Sequence, residues 1–159
     1  MESAPVAKEI ERKFLVDTEK WKSHQLVSGD KSIGISQGYL FNCKGHVGRV
    51  RVNSKGLSRF TYKGPTKGVT RTEIEFPIPF GRLLLKLCDK VIHKTRTIHK
   101  GEDGRVWEVD EFHNLNQPLL LAEIELETEY DIFDIPFWAG QEVSHDPSYY
   151  NSNLINQVA

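Results

Sequence analysis

No apolar run in this chain approaches the ~20 residues that a membrane-spanning helix needs. No signal-peptide pattern opens it either, since Met1 to Ala7 is short and mixed in character. Cysteine is scarce: Cys43 and Cys88 are the only two. They lie far apart without metal-ligand spacing, which argues against a disulfide framework and for a reducing, cytoplasmic compartment. Net charge is nearly absent at −1, so nothing draws the molecule as a whole to nucleic acid or anionic lipid. A locally basic site stays open, because acids elsewhere cancel it in the sum. There is no G-x-x-x-x-G-K-[ST] phosphate loop and no G-x-S-x-G elbow. The six histidines, His24, His46, His93, His99, His113 and His145, are scattered. None has a second histidine at i+4, so a zinc site is not expected.

What is present is a folded chain of ordinary composition, with 38% hydrophobic and 27% charged residues. Its 159 residues fit a single domain spanning 1–159 with a real core. Strand signals follow one another closely: Lys8 to Val16, Ser32 to Phe41, Gly48 to Val52, Leu57 to Lys63, Val69 to Ile78, Val91 to His99, Arg105 to Phe112 and Leu119 to Thr128. Asn-Cys-Lys-Gly, Asn-Ser-Lys-Gly and Gly-Pro separate several of them, as hairpin turns do. A short helix capped at Asp17-Thr18, another over Phe80 to Asp89 and a closing one near Ser148 to Val158 complete the outline. About eight strands with short connections predict an antiparallel barrel or sandwich.

The charges carry the chemistry. Residues i and i+2 of a strand share a face. Glu9, Glu11 and Lys13 share one, as do Arg49 and Arg51; Arg59 and Lys63; Arg71, Glu73 and Glu75; Lys94 and Arg96; Glu108 and Asp110; and Glu123, Glu125 and Glu127. The opposite faces are more apolar, as in Phe60 and Tyr62 or Trp107 and Val109. A solvated outer face is the ordinary explanation of any one such pair. The set as a whole segregates acid from base, and like charges two apart or opposite on a ladder repel. A closed barrel with a charged lumen resolves this. Its basic side wants a polyanion, and its carboxylates want a hard cation such as Mg²⁺ or Mn²⁺. Together these mean phosphate chemistry. The apolar exterior would be covered by helices, by the tail or by a second subunit in a homodimer.

The order of the segments resembles the CYTH, or triphosphate tunnel metalloenzyme, superfamily, in particular its short bacterial tripolyphosphatase-like branch. E-x-E-x-K stands at Glu9 to Lys13, followed by G-Y-L at Gly38 to Leu40, R-V-R at Arg49 to Arg51 and F-T-Y-K at Phe60 to Lys63. R-T-E-I-E at Arg71 to Glu75, K-T-R at Lys94 to Arg96, W-E-V-D at Trp107 to Asp110 and E-I-E-L-E at Glu123 to Glu127 complete it. The resemblance implies an α+β fold built on a closed eight-stranded antiparallel tunnel with a few flanking helices. It also implies divalent-metal dependence and hydrolysis or transfer at a triphosphate.

Carried over by position, Glu9, Glu11 and Glu125 become ligands of a first metal, with Glu123 and Glu127 near them. Glu73 and Glu75 would hold a second metal or its waters. Arg49, Arg51, Lys63, Lys94 and Arg96 would grip phosphate oxygens, with Arg59 and Arg71 as further candidates. Lys13 would bind phosphate and pair with Tyr39 to orient the attacking water. Glu108 and Asp110 stay open between ligand support and salt bridges to the basic side. The leading expectation is a tripolyphosphatase acting on a small-molecule triphosphate, with no nucleic acid and no membrane as partner. A class IV-type cyclase, a thiamine or nucleoside triphosphatase and a non-catalytic polyphosphate-binding module are the competing readings.

Overall fold

The computed structural model describes residues 6–159; residues 1–5, which begin both the expected domain and the segment read for a leader, lie outside the described residues. Nine strands form one sheet: β1 (Val6–Val16), β2 (Lys31–Cys43), β3 (His46–Asn53), β4 (Ser58–Lys63), β5 (Thr70–Pro77), β6 (Val91–Lys100), β7 (Val106–Phe112), β8 (Leu119–Glu125) and β9 (Ala139–Glu142). They run in the order β5-β4-β3-β2-β6-β7-β8-β1-β9, and β5 pairs again with β1. That second pairing closes eight strands into an antiparallel barrel, as expected, and leaves no exposed edge between β1 and β5.

β1 makes the closure possible by dividing its length. Val6 to Ile10 pair with β5, Glu11 to Leu15 pair with β8, and β9 takes over beside Phe14 and Val16. β9 was not expected, because Ala-Gly-Gln-Glu carries neither alternation nor β-branched residues. Long-range contacts hold it instead. Arg12 donates from Nε and a terminal nitrogen to the two carboxylate oxygens of Glu142, at 2.7 and 2.5 Å.

Helix α1 (Thr18–Ser28) starts where Asp17 accepts from the Lys20 N–H at 3.0 Å and ends at Gly29, whose φ of 65° suits a left-handed cap. It lays Trp21 against the outer face of the barrel. There Ile10, Phe14, Trp107, Val109, Ile124 and Leu126 form a buried cluster with Trp138 from the tail. Each such fully buried large side chain contributes about 1.5–3 kcal/mol. Helix and tail thus cover the β1, β7 and β8 side, while Phe60 and Phe76 on β4 and β5 pack mainly on one another and Phe76 stays exposed.

Helix α2 (Gly81–Leu85) is shorter than the apolar stretch from Phe80 to Asp89 predicts. Phe80 offers no side-chain cap, and from Lys86 to Cys88 the N–H groups bond three residues back, tightening the chain into turns. α2 sits close over β2 because Gly38 has no side chain: a Cβ there would lie 2.7 Å from the Cys88 sulfur. The chain finishes in a 3₁₀ turn at Pro147–Tyr149, a single-turn helix α3 (Asn151–Leu154) and a second 3₁₀ turn at Ile155–Gln157. Leu154 and Val143 bury against Ile92, Phe112 and Leu121, so the tail lies across one end of the barrel.

Candidate active site

Period-2 alternation turns the charged faces of β1 and of β3 to β8 inward. The lumen holds a cavity of about 730 Å³ bounded by Glu9, Glu11, Arg49, Arg51, Arg59, Lys63, Glu73, Glu75, Arg96, Glu108, Glu123, Glu125 and Glu127, among others. Toward the tail a smaller cavity of about 50 Å³ shares Glu11, Arg49, Lys63 and Asn151 with it, and adds Lys13, Tyr39 and Arg71. All the candidate residues but Lys94 and Asp110 therefore line one or other of two adjoining spaces. Those two lie deeper, only 1 and 2% exposed.

The acids fall into two groups. Glu123 and Asp110 are neutralised by the protein itself. Asp110 takes Lys94 Nζ at 2.5 Å and Arg96 Nε at 2.7 Å; burial would raise its pKa, but Arg96 and Lys94 outweigh that and hold it well below the usual carboxylate range. Glu123 takes Lys13 Nζ at 3.0 Å and has Arg96 at 3.9 Å. Burial pushes this carboxyl up as well, yet Lys13 and Arg96 bring it down to about 2. Asp110 is thus a salt-bridge partner of the basic side, and Glu108 joins it there through Arg96.

The second group is under-compensated. Burial raises the Glu11 carboxyl to about 7, with Glu123 adding repulsion. Glu9 is raised by burial and by Glu73 against the pull of Lys63, whose Nζ donates to both Glu9 oxygens at 2.7 Å. Glu125 is raised by burial and then by Glu9 and Glu108. Carboxylate oxygens crowded so that each disfavours its neighbour's ionisation form a donor set suited to a hard divalent cation. Glu73 and Glu75 stand beside them: Glu73 lies 3.8 Å from Lys63, and Glu75 is held by Thr61 and Arg59, both at 3.2 Å. Glu127 lies just beyond the end of β8, exposed at the mouth.

The basic wall shows the complementary need. Arg49 Nε and Arg51 Nε are buried without a hydrogen-bond partner among the described residues. Burial, then the charges of Arg49 and Arg96, push the Arg51 guanidinium down. Arg stays charged at neutral pH, so an anion in the lumen is what relieves that crowding. Arg59 is half exposed near the mouth, and Arg71 spends Nε on the Gly64 carbonyl at 3.0 Å.

Lys13 and Tyr39 share the smaller cavity without bonding to one another. Lys13 Nζ donates to the Tyr149 carbonyl at 3.2 Å besides its bridge to Glu123, and the Tyr39 hydroxyl accepts from Gln37 Nε2 at 3.0 Å. A bulge between Tyr39 and Phe41 on the β2–β3 ladder sets where Tyr39 points. Sequence reasoning missed the residues that the tail brings in. Asn151 accepts from Lys94 at 3.2 Å and donates to Glu123 at 3.4 Å, Ser144 Oγ takes the Lys13 N–H at 2.9 Å, and the Tyr150 ring lies under the Lys13 ammonium. Nothing local in the run Tyr149-Tyr150-Asn151 marks Asn151 as facing the lumen.

The family model of the CYTH domain matches residues 7–154. An inorganic triphosphatase of Acetivibrio thermocellus is 44% identical over 155 residues, 94% of this chain and 94% of the relative. An inorganic triphosphatase of Nitrosomonas europaea is 32% identical over 151 residues, 92% of this chain and 95% of the relative. A crystal structure of an inorganic triphosphatase superposes with a TM-score of 0.65 at 30% identity, covering 92% of this chain and 97% of the other.

Proposed function

Because the chain belongs to the CYTH domain family, we propose that it hydrolyses a linear triphosphate, inorganic tripolyphosphate above all, with a divalent cation as cofactor. The observation that carries this reading is the pairing of under-compensated Glu9, Glu11 and Glu125 with the unpartnered Nε atoms of Arg49 and Arg51 in one lumen. Relatives named inorganic triphosphatase support the choice of substrate.

Glu9, Glu11 and Glu125 would hold the cation, with Glu73 and Glu75 supporting a second one or its waters. A bound Mg²⁺ or Mn²⁺ supplies positive charge against the oxygens on which negative charge develops. Arg49, Arg51, Lys63 and Arg96 grip the remaining oxygens, the guanidiniums bidentately. The barrel wall keeps a linear anion extended, so that the terminal phosphorus can be attacked in line. Lys13 and Tyr39, at the tail end, orient the water. Lys94 acts at one remove: it fixes Asp110, which in turn fixes Arg96. The P–O bond to the terminal phosphoryl breaks, and water supplies the new oxygen, yielding phosphate and pyrophosphate.

Free thiols at Cys43 and Cys88 support a reducing, cytoplasmic setting. No helix among the described residues is long and apolar enough to cross a membrane.

The test is a panel of tripolyphosphate, ATP and thiamine triphosphate with Mg²⁺ or Mn²⁺, with products identified. Phosphate and pyrophosphate from tripolyphosphate, faster than release from either organic substrate, is the expected outcome. A cyclic nucleotide from ATP would move the assignment to a cyclase. Tight tripolyphosphate binding without phosphate release would make the protein a binding module.

A further inference from the structure

Outside the barrel, three residues far apart in sequence meet. His24 lies on α1, Asp30 lies between α1 and β2, and His99 lies near the end of β6. His24 Nε2 and His99 Nδ1 each sit 2.9 Å from the same oxygen, Asp30 Oδ2. All three donor atoms lie within 4.8 Å of one another. The absence of a His-x-x-x-His pair made a zinc-type site unexpected, yet folding brings His99 from the end of β6 to His24 and Asp30.

The rings are held in place by packing. The indole of Trp21 stacks on His24 with centroids 5.2 Å apart and planes 24° apart. Trp138 meets His24 at 6.1 Å and His99 at 5.8 Å, and Phe137 closes on His24 at 6.3 Å. The two imidazoles meet edge to face at 4.6 Å, so their nitrogens converge on one point. The side chains keep 14 to 16% of their surface, enough for an ion to enter and for water to complete its shell.

We propose that His24, Asp30 and His99 form a binding site for a divalent transition ion of the zinc class, separate from the tunnel. Two imidazoles and one carboxylate are a familiar three-ligand zinc set, with a water as fourth ligand. Ligands about 2.0–2.1 Å from a tetrahedral zinc stand roughly 3.3 Å apart. Replacing the two 2.9 Å hydrogen bonds by coordination therefore widens each N···O separation by about 0.4 Å, while the donor atoms, all within 4.8 Å of one another, close around the ion. The donor types sort the ions: imidazole favours zinc-like metals, whereas the all-carboxylate tunnel favours Mg²⁺ or Mn²⁺. The bound ion would tie α1 to the β6 wall of the barrel. It is a clip on the fold and takes no part in phosphate chemistry.

The experiment is a Zn²⁺ titration of the whole protein in excess Mg²⁺, followed through the ring nitrogen resonances of all six histidines. One equivalent of Zn²⁺ should move His24 and His99 and leave His46, His93, His113 and His145 in place. His99→Gln should weaken Zn²⁺ binding by at least about tenfold, the loss that even a supporting residue of a metal site produces. Unmoved His24 and His99 rings in the wild-type protein overturn the proposal, whether or not the variant folds. So does an unchanged Zn²⁺ affinity in a folded His99→Gln. Neither result depends on activity in the tunnel.

Discussion

Glu11 and Glu125 face one another as a register pair on the β1–β8 ladder, and two residues on the same ladder pairs Lys13 with Glu123. The second pair is a salt bridge at 3.0 Å. The first sets like charges directly opposite, an arrangement that destabilises a sheet. The strands switch from self-neutralised to under-compensated within one side-chain repeat, and the under-compensated step lies where the cation is wanted.

Glu11→Gln separates stability from activity. Relief of the like-charge pair should leave the metal-free protein as stable as wild type or more so, by about 0.2–1 kcal/mol. Phosphate release from tripolyphosphate should fall by at least about a hundredfold, as for loss of one charge-stabilising group. Thermal melts in chelator and turnover in Mg²⁺ read the two effects. Near-normal turnover with the fold intact would falsify the metal assignment.

Asp110→Asn should do the reverse and damage the fold. Removing the shared partner of Lys94 and Arg96 leaves two buried cations poorly compensated and destabilises by about 3–5 kcal/mol. The carboxyl's folded pKa lies below the unfolded value of about 3.9. Its contribution is therefore complete above that pH and is lost as pH falls beneath it. Urea melts of wild type and variant should differ most at neutral pH and converge in acid below about pH 4.

Two arginines on neighbouring strands should differ in kind. Arg51 is enclosed with an unpartnered Nε, whereas Arg59 is half exposed and paired with Glu75. Arg51→Ala should reduce kcat/KM by about ten- to a hundredfold, the range of about 1.5–3 kcal/mol for a hydrogen bond to a charged group. Arg59→Ala should change it by less than about fivefold, as for an exposed ion pair. Equal losses would mean that the anion sits at the mouth.

Asn151→Ala should remove the tail's hold on Lys94 and Glu123. The expected loss is about 1 kcal/mol of stability, measured by denaturant unfolding, with kcat reduced because Lys13 and Glu123 lose a neighbour that positions them. Unchanged stability and kcat would mean that the tail only covers the barrel end.

The barrel was legible because its signal is local and repeated. Glu-x-Glu at Glu9 and Glu11, Arg-x-Arg at Arg49 and Arg51 and Lys-x-Arg at Lys94 and Arg96 each fix a face without reference to any distant residue. The lumen therefore followed from alternation plus the need to neutralise like charges. What was not legible depends on which strand meets which. Nothing near Asp110 in sequence says that it binds Lys94 rather than a metal. Ala139 to Glu142 become a strand only because β5 leaves β1 half paired. Asn151 reaches the lumen only after the tail folds over the end. His24 and His99 meet only once α1 docks on β6 through Trp21 and Trp138.

The central claim is that cation and polyanion meet inside the barrel between the two charged walls. A crystal grown with Mn²⁺ and tripolyphosphate tests it most directly, through the anomalous signal of manganese. The account predicts a peak bounded by Glu9, Glu11 and Glu125, with phosphate density reaching Arg49 and Arg51. Manganese bound only on the outer surface, with the lumen free of phosphate, would contradict it.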